Sequence, residues 1–234
     1  MSDPGTGLAE ERFDYQKSLK TVKSYPFLHR YFPVDRLIVR PCAALVVRAV
    51  YRTSLTPNHL TLMSFFLALA AGLVYTAGRP AYFIIGGCLS MLSAIFDNAD
   101  GQLARAKNMT SRYGAFLDLF LDRIADFIVL TGITFGLYRG TADPRILMLG
   151  LGTIGLYFLQ VSLYYLNNIY TGAAKNGEGA EAKNLAVFAI LVFSLIGWPI
   201  GVLFGVGLMA VVGTIVKLIS FLRKGKDPAA AQAR

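Results

Sequence analysis

The sequence is poor in cysteine, histidine and charge. Its 234 residues include 2 cysteines and 2 histidines, and only 16% are charged. Cys42 and Cys88 lie far apart in apolar surroundings, so we expect neither a disulfide framework nor a zinc site. We also expect no signal peptide, because the first 30 residues are polar and contain no apolar segment.

What the sequence has in excess is apolar and basic residues. The apolar share is 55% and the net charge is +9, whereas soluble chains average about 45–50% apolar and about 25% charged residues. This composition argues against a soluble domain, and a nucleic-acid-binding protein is rarely this apolar. It favours a basic integral membrane protein with its positive charges at the membrane edges.

Apolar segments long enough to cross a bilayer set the predicted architecture. A break at Gly197-Trp198-Pro199 divides the last segment in two, so the prediction is an all-α integral membrane protein with six transmembrane helices. On this count 19 of the 23 Lys and Arg residues lie on one side, which places both termini and the basic loops in the cytoplasm. The segments are 60–78, 81–99, 114–138, 145–169 and 185–222.

The chain before the first span has a different pattern. Residues 1–33 form a polar segment, and apolar residues in 34–54 alternate with Arg36, Arg40, Arg48 and Arg52. These arginines share one side of a helix, which predicts a basic amphipathic helix in the headgroup layer, bent or restarted at Pro41. The alternative is a solvated arginine face packed on a neighbouring domain. The six-helix domain then covers 55–222, followed by a basic tail, 223–234.

Four aspartates lie at the predicted cytoplasmic ends of the second and third spans. Asp97 and Asp100 are three residues apart, and Asp118 and Asp122 are four apart, so each pair projects from one helical face. A short link joins the two spans, which lets the faces converge. Clustered carboxylates at this depth repel one another and indicate function. They are suited to hold two divalent cations, Mg²⁺ or Mn²⁺; the alternative is salt bridging to Arg105, Arg112 or Arg123.

Small and basic residues accompany the carboxylates. Gly101 and Gly114 remove side chains beside them, which allows close helix packing or access of a ligand to the backbone. Arg105 lies one turn beyond Asp100 and is suited to bind a phosphate oxygen, while Arg123 can do the same or neutralise an aspartate.

This stretch resembles the CDP-alcohol phosphotransferase (CDP-alcohol phosphatidyltransferase) family. The family pattern D-x2-D-G-x2-A-R-x8-G-x3-D-x3-D is met at every fixed position and spacing. Six spans, an N-terminal amphipathic helix and the sequence Thr56-Pro57-Asn58 before the first span add to the likeness. The matching residues are Asp97, Asp100, Gly101, Ala104, Arg105, Gly114, Asp118 and Asp122.

The resemblance implies a six-helix homodimer that transfers a substituted phosphate from a CDP-linked donor to an alcohol and releases CMP. By the same likeness Asp97, Asp100 and Asp118 bind metal, and Asp122 binds the second cation and acts as general base. The three metal-binding aspartates would also contact the nucleotide. The other residues implied for the nucleotide are Gly101, Ala104, Arg105 and Gly114, with Asn58 and Thr61 at the start of the first span.

The acceptor is less well indicated. Basic residues are scarce in spans four to six, which disfavours a phosphorylated acceptor, and the tyrosine and asparagine side chains there also fit an interfacial belt. Choline and ethanolamine phosphotransferases carry a histidine where Leu119 stands, so the stretch 111–123 more closely resembles the phosphatidyl- and inositol-phosphate-transferring branches, and this resemblance implies CDP-diacylglycerol or a CDP-polyol as donor. The candidate acceptor residues are Arg112, Tyr164, Asn168, Lys175 and Lys183.

A different class of function remains open from the sequence. The aspartate cluster could bind a permeating cation in a transporter. That account gives the Gly-x2-Ala-Arg part of the pattern no role, and carboxylates confined to one membrane face are poorly placed for conduction. The expected partners are therefore a CDP-linked donor, an alcohol acceptor, the lipid bilayer and a second copy of the chain, with no nucleic acid.

Overall fold

The computed structural model describes residues 35–171 and 178–225, and within them the chain is helical and contains no strand. A short π-type turn, Asp35–Val39, leads into the first helix. Six longer helices follow the first one, and the all-helical class agrees with the prediction from the sequence. The helices are α1 Arg40–Val50, α2 Pro57–Tyr75, α3 Pro80–Ala106, α4 Arg112–Thr141, α5 Pro144–Thr171, α6 Glu178–Leu195 and α7 Ile200–Gly225.

Proline and hydroxyl residues begin these helices where the sequence indicates. Thr56 is in an extended conformation directly before α2, and Pro57 occupies the first turn. The Ser111 hydroxyl accepts a hydrogen bond from the Gly114 amide at 2.9 Å and so caps α4. At the other end of the chain, α6 stops at Leu195 before the predicted break. There Gly197 has a φ of 78°, which permits the tight turn into α7.

Part of this helical bundle is long and apolar enough to cross a membrane. Three helical segments among the described residues are long and apolar enough to span a membrane: Pro57–Tyr75, Pro80–Ala106 and Pro144–Leu166. Shorter apolar segments occur at Leu185–Leu195 and Ile200–Val216. The polar segment 1–33 and most of the predicted tail 223–234 lie outside the described residues.

Helix α1 packs against the chain near the aspartates. Ala43 and Val47 are buried against Leu60 of α2 and Leu103 of α3, whereas Leu45 is 66% exposed. The apolar surface of α1 is therefore divided between the protein and its surroundings. Pro41 lies in the first turn of α1, as a restart of the helix after the π-type turn requires.

A lysine fixes the linker between α1 and α2. The Lys107 ammonium, just after α3, donates hydrogen bonds of 2.9 Å to the carbonyl oxygens of Thr53 and Leu55. The Gln102 side-chain amide reaches the Arg40 carbonyl at 3.3 Å. The end of α3 that bears the aspartates is thereby tied to the segment that precedes the bundle.

Glycines bring the backbones of α2 and α4 into contact. A Cβ atom on Gly132 would overlap the carbonyl oxygen of Gly72, and one on Gly136 would overlap the carbonyl oxygen of Tyr75. Since these neighbours are backbone atoms, no side-chain rotation can make room. The contact therefore requires glycine and fixes α4, with its aspartates, close against α2.

We expect Gly132→Ala to destabilise the protein by about 1–3 kcal/mol, the usual cost of overpacking a tight interior. The added methyl group must push α2 and α4 apart. Thermal unfolding in detergent measures the loss. Gly155→Ala is the matched control, because a Cβ there meets nothing within 4 Å; equal midpoints for the two variants would contradict the close contact.

Candidate metal and nucleotide site

Two adjacent helix ends build a cluster of carboxylates. Asp97 and Asp100 lie in the last turns of α3, and Asp118 lies in the second turn of α4. One ligand oxygen from each of the three lies within 4.8 Å of the others. The structure thus brings these aspartates together, as their spacing predicts.

This donor set fits a hard divalent cation. It consists of three carboxylates, and its group contains no histidine or cysteine. Oxygen donors this close together repel one another unless a cation lies between them. The arrangement suits Mg²⁺ or Mn²⁺, which take oxygen ligands and leave positions for substrate phosphates.

Thr61 orients one of the carboxylates. Its hydroxyl donates a 2.5 Å hydrogen bond to Asp100 Oδ2 and also lies 3.2 Å from the Pro57 carbonyl oxygen. Thr61 and Asp100 are both buried. From the sequence, Thr61 is expected beside the nucleotide. In the structure its hydroxyl donates to Asp100, one of the three clustered carboxylates.

Lys183 joins the fourth aspartate to the cluster. Its ammonium lies 2.5 Å from Asp122 Oδ1 and 3.4 Å from Asp97 Oδ2. The sequence places Lys183 in a loop and among the acceptor residues, but it belongs to the first turns of α6. The lysine thus bridges α3, α4 and α6 through two of the carboxylates that the motif contains.

We expect Lys183→Met to lower the melting temperature more in EDTA than in saturating MnCl₂. Without the ammonium, Asp97 and Asp122 face each other with one positive charge fewer, and a bound divalent cation replaces part of that charge. Lys107→Met is the control, because its ammonium binds backbone carbonyls. A Lys183→Met deficit that is the same with and without Mn²⁺ would contradict this account.

A second polar group adjoins Asp122 on the side of α5. The Arg123 guanidinium lies 3.7 Å from Asp122 Oδ2 and 3.1 Å from Asp126 Oδ2, so the salt bridging considered for Arg123 is present. Tyr157 of α5 donates a 2.5 Å hydrogen bond to Asp126. Sequence reasoning gave Asp126 and Tyr157 no role. The spacing of four residues from Asp122 could have indicated Asp126, but no sequence signal indicated Tyr157.

The expected nucleotide-binding residues surround the same helix ends. A Cβ on Gly114 would lie 3.3 Å from Asn58 Oδ1, so the starts of α2 and α4 meet there. A Cβ on Gly101 would lie 3.4 Å from Arg105 Nη1, which places the Arg105 guanidinium above that glycine. Arg105 is exposed and Ala104 is partly exposed. Asn58 therefore adjoins Gly114, and Arg105 adjoins Gly101.

The predicted acceptor residues are less closely grouped. Arg112 is exposed at the start of α4, and Tyr164 is half-buried on α5, with its ring centroid 5.3 Å from that of Tyr165. The Asn168 side chain and the whole of Lys175 lie outside the described residues. Of this group, Lys183 contacts two of the aspartates, Asp97 and Asp122.

Comparison with known proteins agrees with this geometry. The sequence model of the family described as CDP-alcohol phosphatidyltransferase matches residues 54–218. The archaetidylinositol phosphate synthase of Pyrococcus horikoshii is 31% identical over 155 residues, which cover 62% of this chain and 78% of that protein. The bifunctional IPC transferase and DIPP synthase of Aquifex aeolicus is 32% identical over 154 residues. That match covers 61% of this chain but 33% of the Aquifex protein, so this chain spans about a third of its length.

The fold has a counterpart among solved structures. The phosphatidylinositol phosphate synthase of Mycobacterium tuberculosis, crystallised with CDP-DAG bound, superposes with a TM-score of 0.61 at 20% sequence identity. The superposition covers 75% of this chain and 91% of the mycobacterial chain. Since the family match contains every motif residue and extends over most of the helical bundle, this chain belongs to the CDP-alcohol phosphatidyltransferase family.

Proposed function

We propose that the protein transfers a phosphatidyl-type group from a CDP-linked lipid to the hydroxyl of a phosphorylated polyol and releases CMP. The observation that carries this proposal is the convergence of Asp97, Asp100 and Asp118, with ligand oxygens within 4.8 Å of one another. Asp122 adjoins them through Lys183. Membership of the family supports the proposed reaction, and the grouping of the three carboxylates supports their proposed role as metal ligands.

In this proposal the donor lies between the aspartates and the start of α2. Asp97, Asp100 and Asp118 hold the divalent cations, with Asp122 contributing to the second of two. Gly101, Ala104 and Gly114 leave room for the cytidine diphosphate. Arg105 is exposed beside Gly101 and can bind a phosphate oxygen, and Asn58, which adjoins Gly114, can hydrogen-bond the nucleotide.

The transfer step then requires a base and an in-line attack. Asp122 accepts the proton of the acceptor hydroxyl, whose oxygen attacks the β-phosphorus of the donor. A new P–O bond forms there while the bond from that phosphorus to the CMP oxygen breaks, and CMP leaves with the electron pair. When bound, the divalent cations neutralise the pyrophosphate and the charge that develops on CMP. Thr61 keeps Asp100 oriented throughout.

The relatives favour CDP-diacylglycerol as donor and inositol phosphate as acceptor. The Pyrococcus protein is named an archaetidylinositol phosphate synthase, and the mycobacterial structure carries CDP-DAG. The scarcity of basic residues in the later helices argued against a phosphorylated acceptor. That objection weakens because Lys183 lies inside the site. Arg112, Tyr164, Asn168 and Lys175 remain the other proposed acceptor contacts.

The bundle is proposed to work in a membrane as a homodimer. Six crossings, from α2 to α7, place both termini and the aspartate cluster on the cytoplasmic side, where most of the Lys and Arg residues lie. Residues 34–54 then lie in the headgroup layer, where α1 presents Leu45 and its arginines to lipid. The catalytic unit corresponds to residues 55–222, between the polar segment 1–33 and the tail 223–234.

Activity of the purified protein tests the proposal directly. The protein is incubated with Mn²⁺ or Mg²⁺, CDP-diacylglycerol labelled in the lipid, and inositol phosphate, glycerol phosphate or free inositol in separate reactions. We expect CMP release that depends on both the cation and the acceptor, fastest with inositol phosphate. CDP-polyols in place of the lipid donor test the other donor class. Absence of acceptor-dependent CMP release with every pair would overturn the proposal.

A further inference from the structure

A fifth aspartate lies one helical turn beyond the family motif. Asp126 follows Asp122 by four residues on α4 and is half-buried. Its Oδ2 atom accepts a 2.5 Å hydrogen bond from the Tyr157 hydroxyl and lies 3.1 Å from Arg123 Nη1. The same Nη1 donates to the Tyr157 oxygen at 3.3 Å. Asp126, Tyr157 and Arg123 therefore form a closed triangle of polar contacts between α4 and α5.

This triangle fixes the position of a guanidinium beside Asp122. The other terminal nitrogen of Arg123 lies 3.7 Å from Asp122 Oδ2, which is longer than a hydrogen bond. Arg123 Nε is buried and has no hydrogen-bond partner among the described residues. The orientation of Arg123 consequently depends on the nitrogen that Asp126 and Tyr157 hold.

Packing alone does not explain why Asp126, Tyr157 and Arg123 form a triangle of polar contacts inside the helical bundle. The Phe127 ring of α4 already packs edge-on against Phe158 of α5 at a centroid distance of 6.3 Å, so α4 and α5 can meet through apolar side chains without these charges. Desolvating an aspartate and an arginine costs free energy that apolar residues of similar volume avoid. Ionisable residues inside a helical bundle of this kind indicate function.

We propose that Asp126 and Tyr157 are positioning residues that hold the Arg123 guanidinium back from Asp122, so that the Asp122 carboxylate stays available to accept the acceptor proton. This inference rests on the proposed function. Asp126 takes the closer contact with Arg123, 3.1 Å against 3.7 Å. Without that contact the guanidinium can close on Asp122 Oδ2 and add charge-assisted hydrogen bonds there, while Lys183 already donates to Oδ1.

Tyr157→Phe is the first variant to test this role. It keeps the ring and its packing and removes only the hydroxyl. We expect kcat for CMP release to fall about tenfold, as misplacement of a catalytic group does. The KM for the donor, the KM for the acceptor and the Mn²⁺ affinity of the group formed by Asp97, Asp100 and Asp118, measured by titration, should each stay within about twofold, because none of these requires Asp122 to act as a base.

Tyr138→Phe is the matched control, since Tyr138 is a half-buried tyrosine near the opposite end of α4. We expect wild-type kcat from it. If Tyr157→Phe keeps the wild-type kcat, or if its kcat, Mn²⁺ affinity and melting temperature all fall together, the positioning role is wrong and Tyr157 is a packing residue.

Asp126→Asn and the double variant Asp126→Asn/Tyr157→Phe complete a double-mutant cycle. Because both residues act through Arg123, the double variant should lose no more kcat than Asp126→Asn alone, whereas independent sites would multiply their effects. Multiplied losses would overturn the inference while leaving the proposed function standing. A wild-type protein that releases no CMP would overturn both.

Discussion

Replacing Asp122 with asparagine should abolish transfer while the protein still binds CDP. The amide keeps the shape of the side chain and can accept the hydrogen bond from Lys183, but it cannot take the proton of the acceptor hydroxyl. Losing a general base lowers kcat by roughly 10²–10⁴-fold. Asp97, Asp100 and Asp118 remain to hold metal and nucleotide. CMP release measures the first effect, and calorimetric titration with CDP in Mn²⁺ measures the second.

The control for this variant is Asp143→Asn. Asp143 lies in the turn between α4 and α5, where its carboxylate accepts a hydrogen bond from the Arg145 amide. The turn is at the other end of α4 from the aspartate cluster. Asp143→Asn should therefore leave both transfer and CDP binding unchanged. If Asp122→Asn loses CDP binding to the same extent as transfer, Asp122 is a metal ligand and not the base.

Asp97→Asn, unlike Asp122→Asn, should lose metal-dependent CDP binding, because this residue is expected to hold metal. Its oxygen lies within 4.8 Å of those of Asp100 and Asp118, so removing its charge weakens the cation site itself. Even changes to residues that only support metal ligands cost about 10–100-fold in affinity, and a direct ligand should cost at least as much. We expect Mn²⁺-dependent CDP binding to fall by more than about tenfold, with transfer falling in parallel.

A titration of CDP affinity against Mn²⁺ concentration identifies this defect. If Asp97 is a ligand, raising Mn²⁺ should recover part of the lost CDP affinity in Asp97→Asn. The same titration with Asp143→Asn should follow the wild-type curve. CDP binding that is unchanged in Asp97→Asn would contradict the metal assignment of this carboxylate.

The aspartate cluster was predictable from the sequence because its geometry is local. Asp97 and Asp100 share one turn of α3. Because the link to α4 is short, the start of α4, and with it Asp118, must lie near the end of α3. The start of α2 at Pro57 was predictable for the same reason, since a proline in the first turn and the residue before it act within one turn. Periodicity and capping determine such features without any knowledge of the tertiary packing.

Contacts between distant segments were not predictable in this way. From the sequence, Lys183 is predicted to lie in a loop. In the structure it belongs to α6 and contacts Asp97 and Asp122, which lie 86 and 61 positions away along the chain. Tyr157 reads as one more aromatic residue in an apolar span, and its bond to Asp126 depends on how α5 lies against α4. These contacts arise from the packing of helices that are distant in the chain, and a single sequence does not specify that packing.

The glycine contact between α2 and α4 has a consequence for which helices of this protein can shift. Because Gly132 and Gly136 hold α4 directly against the backbone of α2, the helices that carry the donor machinery form a unit with little freedom to shift. Helices α5 and α7 pack against each other, and Thr153 of α5 donates to the Leu203 carbonyl of α7 at 3.1 Å. Substitutions at the α5–α7 contact can therefore shift those two helices against each other while the α2–α4 contact stays fixed.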